Sequence, residues 1–245
     1  ALIEPLACVV KAFRLSGIAV PAMGREGVTP LLRKRMGSYL PHWEQEGGIY
    51  AITFRLADSL PKEFIDRLRD QKVHDERVAK GGYNSLDAKH LAALAAERVR
   101  LAEAELDKGQ GSCLLNDPKN AEVVERALKH FDGTRYRLHA YAVMPNHVHV
   151  VCEPIPGYGL PDILHSWKSF TSHRINELTG EKGSIWQRES HDRLIRDEPE
   201  YEHQIAYALD NPTKGGLKDW KYVGRGSGAV FSVNRCFLWE GGGSG

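Results

Sequence analysis

The chain has few cysteines and none at metal-ligand spacing. Cys8, Cys113, Cys152 and Cys236 are scattered without a C-x-x-C pair, which excludes a zinc ribbon and a disulfide scaffold and reads as reduced thiols in a cytoplasm. Long apolar runs are missing too: the longest, such as 140–144 and 148–152, fall far short of the roughly 20 residues that cross a bilayer, so no membrane anchor is expected. Nor is there an excess of charge of either sign. With 33 Lys and Arg against 32 Asp and Glu, the net charge of +1 excludes the whole-surface basicity of a nonspecific phosphate-neutralising protein and leaves room only for local basic patches.

What is present is enough apolar material for one sizeable core, 42% of 245 residues, so a disordered polyelectrolyte is excluded as well. Histidines number 11 and mostly follow Lys129, while the glycines gather near 109–111, 215–228 and in 241–245. The last of these reads as an appended linker. Residues 1–38 show no clean period, and Lys11, Arg14, Arg25, Arg33, Lys34 and Arg35 face only Glu4 and Glu26, so this stretch reads as a basic, poorly ordered leader. A catalytic domain over 39–222 with a helical insertion at about 72–112 and a C-terminal extension over 223–245 complete the expected organisation.

Within that domain, Ile49–Leu56 is β-branched and aromatic and reads as a strand. Pro61 opens a helix to about Gln71, and a helix dense in Ala, Glu and Arg runs from an N-cap at Ser85 to Gly109, a lid or arm packed on the surface or else a solvated insertion. Apolar residues at helical period mark Asn120–Phe131 and Leu160–Leu178, the latter through Ile163, Leu164, Trp167, Phe170, Ile175 and Leu178. Tyr136–Met144 and His147–Cys152 read as a hairpin turning at Pro145-Asn146, with short strands near 185–186 and 191–196. A last helix from Glu198 to Asp210 is expected to stop at Asn211-Pro212. This is an α+β order: an antiparallel sheet with helices on one face.

Strand alternation sends the imidazoles of His147 and His149 to one side, giving half of a metal site, or else a hydrogen-bonded surface pair. On the last helix, four-residue spacing puts Tyr207 and Asn211 on one face, a nucleophile beside a metal ligand; a core aromatic and a C-cap are the plain alternatives. His203 and Gln204, one turn earlier, read as exposed polar residues, so no general base is assigned.

Four motifs follow in order: Tyr141–Val151 (YAVMPNHVHVV), Trp167–Thr171 (WKSFT), Ile185–Arg193 (IWQRESHDR) and Tyr207–Leu217 (YALDNPTKGGL). Together, over about 39–222, they resemble the REP-associated tyrosine transposases, a branch of the single-tyrosine HUH nucleases. Two departures stand out: the 85–109 insertion, and His191 in place of an aromatic before Asp192-Arg193. The resemblance implies an α+β HUH (ferredoxin-like) antiparallel sheet with packed helices, a C-terminal helix carrying the nucleophile Tyr207, and a divalent ion, Mg2+ or Mn2+, on His147, His149 and Asn211. It also implies cleavage and rejoining of single-stranded DNA near hairpin repeats of the REP type through a 5′-phosphotyrosine, in the cytoplasm at the nucleoid, by a monomer or homodimer.

For grip on DNA, Lys168, Thr171 and Arg174 share a helix face, and Arg188, His191, Arg193, Arg196 and Lys214 flank the site in sequence. Trp186 is either a base-stacking platform or core. The competing reading is a domesticated hairpin-binding protein without cleavage, against which the retention of Tyr207, both histidines and Asn211 argues. A two-histidine phosphoesterase needs two separated H-x-T/S motifs, and only one H-x-H is present.

Overall fold

The computed structural model describes residues 33–36, 41–80 and 88–230. β1 (Arg33–Met36) and β2 (Pro41–Glu44) form an antiparallel ribbon. A boundary at 38/39 therefore divides a paired ribbon; the rest of the leader lies outside the described residues.

The core is a five-stranded antiparallel sheet in the order β6-β3-β5-β4-β7, made from β3 (Tyr50–Arg55), β4 (Tyr136–Val143), β5 (His147–Pro154), β6 (His191–Leu194) and β7 (Val223–Arg225). The central strand β5 is buried at each of its first six positions, as its apolar content demands of a strand covered on both faces. The domain accordingly continues past 222. β7 pairs with β4, and the chain after it passes so close that a Cβ at Gly226 would stand 2.6 Å from the Leu138 carbonyl oxygen, which reserves the position for glycine.

Among the described residues five helices flank the sheet: α1 (Lys62–Lys80), α2 (Ala88–Leu106), α3 (Pro118–His130), α4 (Leu160–Thr179) and α5 (Glu198–Lys214). Asp117 caps α3 by accepting from the Lys119 N–H, and Asp197 caps α5 by accepting from that of Glu200; such caps are worth about 1 kcal/mol each. Gly180, at φ 76°, ends α4 in the left-handed conformation glycine adopts without strain.

Helices on a single face were expected; they lie on both. Tyr50, Ile52 and Phe54 of β3 and Val148, Val150 and Cys152 of β5 form one core with α3 and α4, whereas Val151 and Ala140 pack against Tyr201, Ile205 and Ala208 of α5 on the other side. The reason is that the alternate residues of β4 and β5 are apolar enough to need cover too. A β-bulge between Leu138 and Ala140 supports this division: Leu138, Tyr141 and Val143 stay with the first face and Ala140 goes to the second.

Three further expectations shift. Helix α1 runs on from Gln71 to Lys80, and with α2 it buries Leu60, Phe64, Leu68 and Leu106. Helix α5 does not stop at Asn211 but carries Pro212 in its last turn, where the missing N–H costs one bond and Gly215 N and Leu217 N close onto the carbonyls of Asn211 and Pro212. Phe170 is 52% exposed on α4 and Leu178 50%, so neither serves the core.

Candidate active site

The hairpin carries the site's first residues. The Nε2 atoms of His147 and His149 converge to 2.9 Å, with both side chains buried. Each ring is held at its other nitrogen: His147 Nδ1 lies 2.7 Å from Asn146 Oδ1, and His149 Nδ1 lies 2.9 Å from Thr53 Oγ1. The first contact fixes a tautomer. Asn146 donates through Nδ2 to the carbonyls of Leu106 (3.1 Å) and Gln110 (3.0 Å), so its Oδ1 must accept, His147 carries its proton on Nδ1, and the lone pair on Nε2 points into the site. Burial pushes both imidazoles down, His149 to about 3, so they are neutral, the form that ligates metals.

Helix α5 lays Tyr207 and Asn211 over these rings. Tyr207 meets His149 edge-on with centroids 5.2 Å apart. Asn211 is wholly buried, faces His147 and Tyr207 without a well-formed hydrogen bond to either, and leaves both Oδ1 and Nδ2 unpartnered. It is no C-cap. Helix position is fixed in turn by Tyr201, whose hydroxyl lies 3.0 Å from Nδ1 of the bulge residue His139.

Helix α2, read from sequence as a lid or arm or else a solvated insertion, forms a wall of the site. Glu103 faces the Tyr207 hydroxyl, and one turn on Asp107 Oδ1 stands 4.0 Å from His147 Nε2. Burial raises both carboxyls, and burial together with the charges of Glu103 and Asp107 drives the Tyr207 phenol above its ordinary range. Asn211 opposes this, and Lys214 lies 4.9 Å over the Tyr207 ring. Sequence reasoning missed Glu103, Asp107 and Asn146. The available signal was the four-residue spacing of the two carboxylates, hidden in a helix rich in charge.

A cleft of about 360 Å³ opens beside Tyr207, lined by Glu103, His149, His191, Arg193 and Arg196 among others. Three of the expected DNA contacts thus reach the site, and Lys214 makes a fourth. Both Arg193 and Arg196 pair with Glu200 of α5.

The others are placed differently. Trp186 is 3% exposed, packs edge-on against Phe54 and donates to Thr171 Oγ1 at 2.8 Å. Thr171, equally buried, donates to the Trp167 carbonyl. Neither can meet DNA; both brace the core. Lys168 is drawn down to about 8 by burial and pins the following segment through the carbonyls of Gln187 and Arg188. Arg174 is exposed but lies on α4, across the sheet from the histidines, paired with Glu177. Arg188 is exposed.

The donor set suits a divalent ion. Ligands about 2.1 Å from a common octahedral centre stand about 3.0 Å apart when adjacent, close to the separation of the two Nε2 atoms. The orphaned Asn211 oxygen supplies a third, hard donor. Among the described residues no group of three or more His, Cys, Asp or Glu makes a metal cluster, so such a site depends on the amide.

Residues 112–192 match the family model of IS200-like transposases. The match covers about a third of the chain, including the His147/His149 hairpin; Tyr207 and Asn211 lie beyond it. Among solved structures, the chain is similar to a REP-associated tyrosine transposase bound to a REP hairpin, at 17% identity over 77% of this chain and 82% of that one, with a TM-score of 0.39. It is also similar to a putative transposase from Deinococcus radiodurans R1, at 14% identity over 78% and 97%, with a TM-score of 0.30. No curated protein matches. The α+β architecture, with its antiparallel sheet and packed helices, is the one the motifs implied. Among the described residues no helix is long and apolar enough to cross a membrane.

Proposed function

We propose that the protein is a metal-dependent single-stranded DNA nuclease and strand transferase that cuts and rejoins DNA beside hairpin repeats. The observation that carries this reading is the convergence of the Tyr207 hydroxyl, two neutral imidazoles and an unpartnered buried amide at one end of an open cleft.

Tyr207 attacks the scissile phosphorus through its hydroxyl oxygen, forming a 5′-phosphotyrosyl bond and breaking the bond to the 3′ oxygen. Glu103, which faces the Tyr207 hydroxyl, takes the phenol proton, and the departing 3′ oxygen takes up a proton from water. His147, His149 and Asn211 would hold Mg2+ or Mn2+, which supplies Lewis-acid polarisation of the phosphate when bound. Because the covalent link keeps the phosphodiester energy, a second 3′-hydroxyl reverses the step and joins strands without ATP. Arg193, Arg196 and Lys214 contact the backbone, and a site that must reach a single phosphate from the face of a sheet favours a flexible single strand over a rigid duplex.

The test is incubation with a labelled hairpin oligonucleotide and Mn2+, followed by a denaturing gel. A covalent adduct is expected with the native chain and none with Tyr207→Phe or with EDTA. An adduct that persists in Tyr207→Phe overturns the assignment of the nucleophile. Hairpin binding with no adduct under any condition identifies the domesticated binder instead.

A further inference from the structure

We propose that Asp107, just beyond the end of α2, is a further protein ligand of the divalent ion held by His147, His149 and Asn211. This inference rests on the metal reading above and assigns to the inserted helix a part in building the centre.

Asp107, His147 and His149 do not make a metal cluster by themselves, so the carboxylate would join a set that still needs the Asn211 amide, and three observations carry the inference. Asp107 Oδ1 is buried without any hydrogen-bond partner, and its 4.0 Å from His147 Nε2 is near the roughly 4.2 Å expected of ligands on opposite sides of one octahedral ion. The carboxylate is also held in register with that histidine. The Leu106 carbonyl beside it accepts from the same Asn146 that fixes the His147 tautomer, so α2 and the histidine hairpin are locked through one side chain. The third is charge. His147, His149 and Asn211 are all neutral donors, and a dication buried among them lacks compensation that one carboxylate oxygen would provide, with a donor type suited to Mg2+ and Mn2+. Glu103 faces the Tyr207 hydroxyl, which leaves Asp107 for the metal. The competing role is a simple counter-charge to Lys214, whose field acts on Asp107.

The two roles separate by metal titration of the full chain without DNA, reading free Mn2+ by its paramagnetic resonance signal and the Mn2+-induced rise in melting temperature. Asp107→Asn is expected to weaken Mn2+ binding about tenfold or more, with partial recovery in Asp107→Glu and native affinity in Glu97→Gln on the exposed side of α2. His149→Ala should lose the site. If His149→Ala loses Mn2+ while Asp107→Asn stays within about twofold of native, Asp107 is only a counter-charge and the proposal fails alone. If His149→Ala binds Mn2+ as the native chain does, the metal reading beneath it fails as well. Melting in EDTA checks that each variant is folded, and Asp107→Ser gives the same comparison should the Asn variant not fold.

Discussion

The two faces of the sheet are built from alternate residues of the same strands, yet they treat buried polar groups in opposite ways. Under α3 and α4, polar atoms close on one another: Trp167 donates to Tyr136, Tyr136 to the Leu128 carbonyl, Trp186 to Thr171 and Thr171 to the Trp167 carbonyl. Under α5, Asn211 and Asp107 are left with orphaned atoms and two imidazoles are turned toward each other. An unsatisfied buried polar group costs about 1–3 kcal/mol. Apart from Asn176 Oδ1 near the end of α4, the first face is thus closed by the chain alone, whereas the second gathers its unpartnered Asn211 and Asp107 atoms around the His147/His149 pair.

The sharpest way to break this comparison is to remove an aromatic that the motifs placed with DNA. Trp186→Ala deletes a ring packed on Phe54 and orphans the Thr171 hydroxyl, so a loss of about 3–5 kcal/mol is expected by urea unfolding. Hairpin affinity of the folded fraction should be unchanged. A variant of native stability with weakened binding would return Trp186 to the DNA surface. Tyr207→Phe should do the reverse, abolishing the adduct while leaving stability nearly intact, because its ring contacts persist and only the hydroxyl facing Glu103 goes.

Acid sharpens the difference next. His139, buried at the bulge, is lowered to about 4 by burial, with Arg137 adding to the shift. The unfolded chain takes a proton near pH 6.5 while the folded chain refuses it until about pH 4. Stability present above pH 6.5 is therefore lost as pH falls through that window, by about 3 kcal/mol for this group. His149 adds loss of the same sign. Unfolding midpoints between pH 7 and 4 should fall more steeply in the native chain than in His139→Gln; equal slopes would show that His139 does not titrate this way. Among the described residues the other face carries no buried histidine, so this acid sensitivity belongs to the site side.

These outcomes bear on how much the sequence made legible. Strand alternation placed His147 and His149 together, and four-residue spacing placed Tyr207 with Asn211, because both patterns follow from backbone geometry that tertiary contacts did not alter. Helix α4 was legible as an element, but the roles of its motif residues were not. Thr171 and Trp186 are 15 positions apart, and nothing local in either shows that they bond each other rather than a ligand. Pro212 signalled a stop that the helix overrode, since the loss of one bond in a last turn is small beside the burial of Asn211. The share of α2 in the site was invisible for a related reason. Its apolar stripe is thin because part of what it buries is Glu103 against Tyr207, which a hydrophobic periodicity counts as surface.

The smallest effect is the most discriminating for DNA. Arg193 lines the cleft and Arg174 lies on α4 across the sheet, and each is paired with a glutamate, Glu200 and Glu177. The Arg174–Glu177 pair is half-exposed and worth little, and the mostly buried Glu200 keeps Arg196 when Arg193 is removed, so replacing either arginine should move the unfolding free energy by less than about 1 kcal/mol. Phosphate contact is different, because each one lost removes about one counterion's worth of salt dependence. Arg193→Ala should therefore weaken hairpin binding and flatten its salt slope by about one, with Arg196→Ala acting in the same direction. Arg174→Ala should leave both unchanged. Equal losses at Arg193 and Arg174 in filter-binding titrations across salt would mean that the strand wraps both faces of the sheet, and the cleft beside Tyr207 would then be only part of its path.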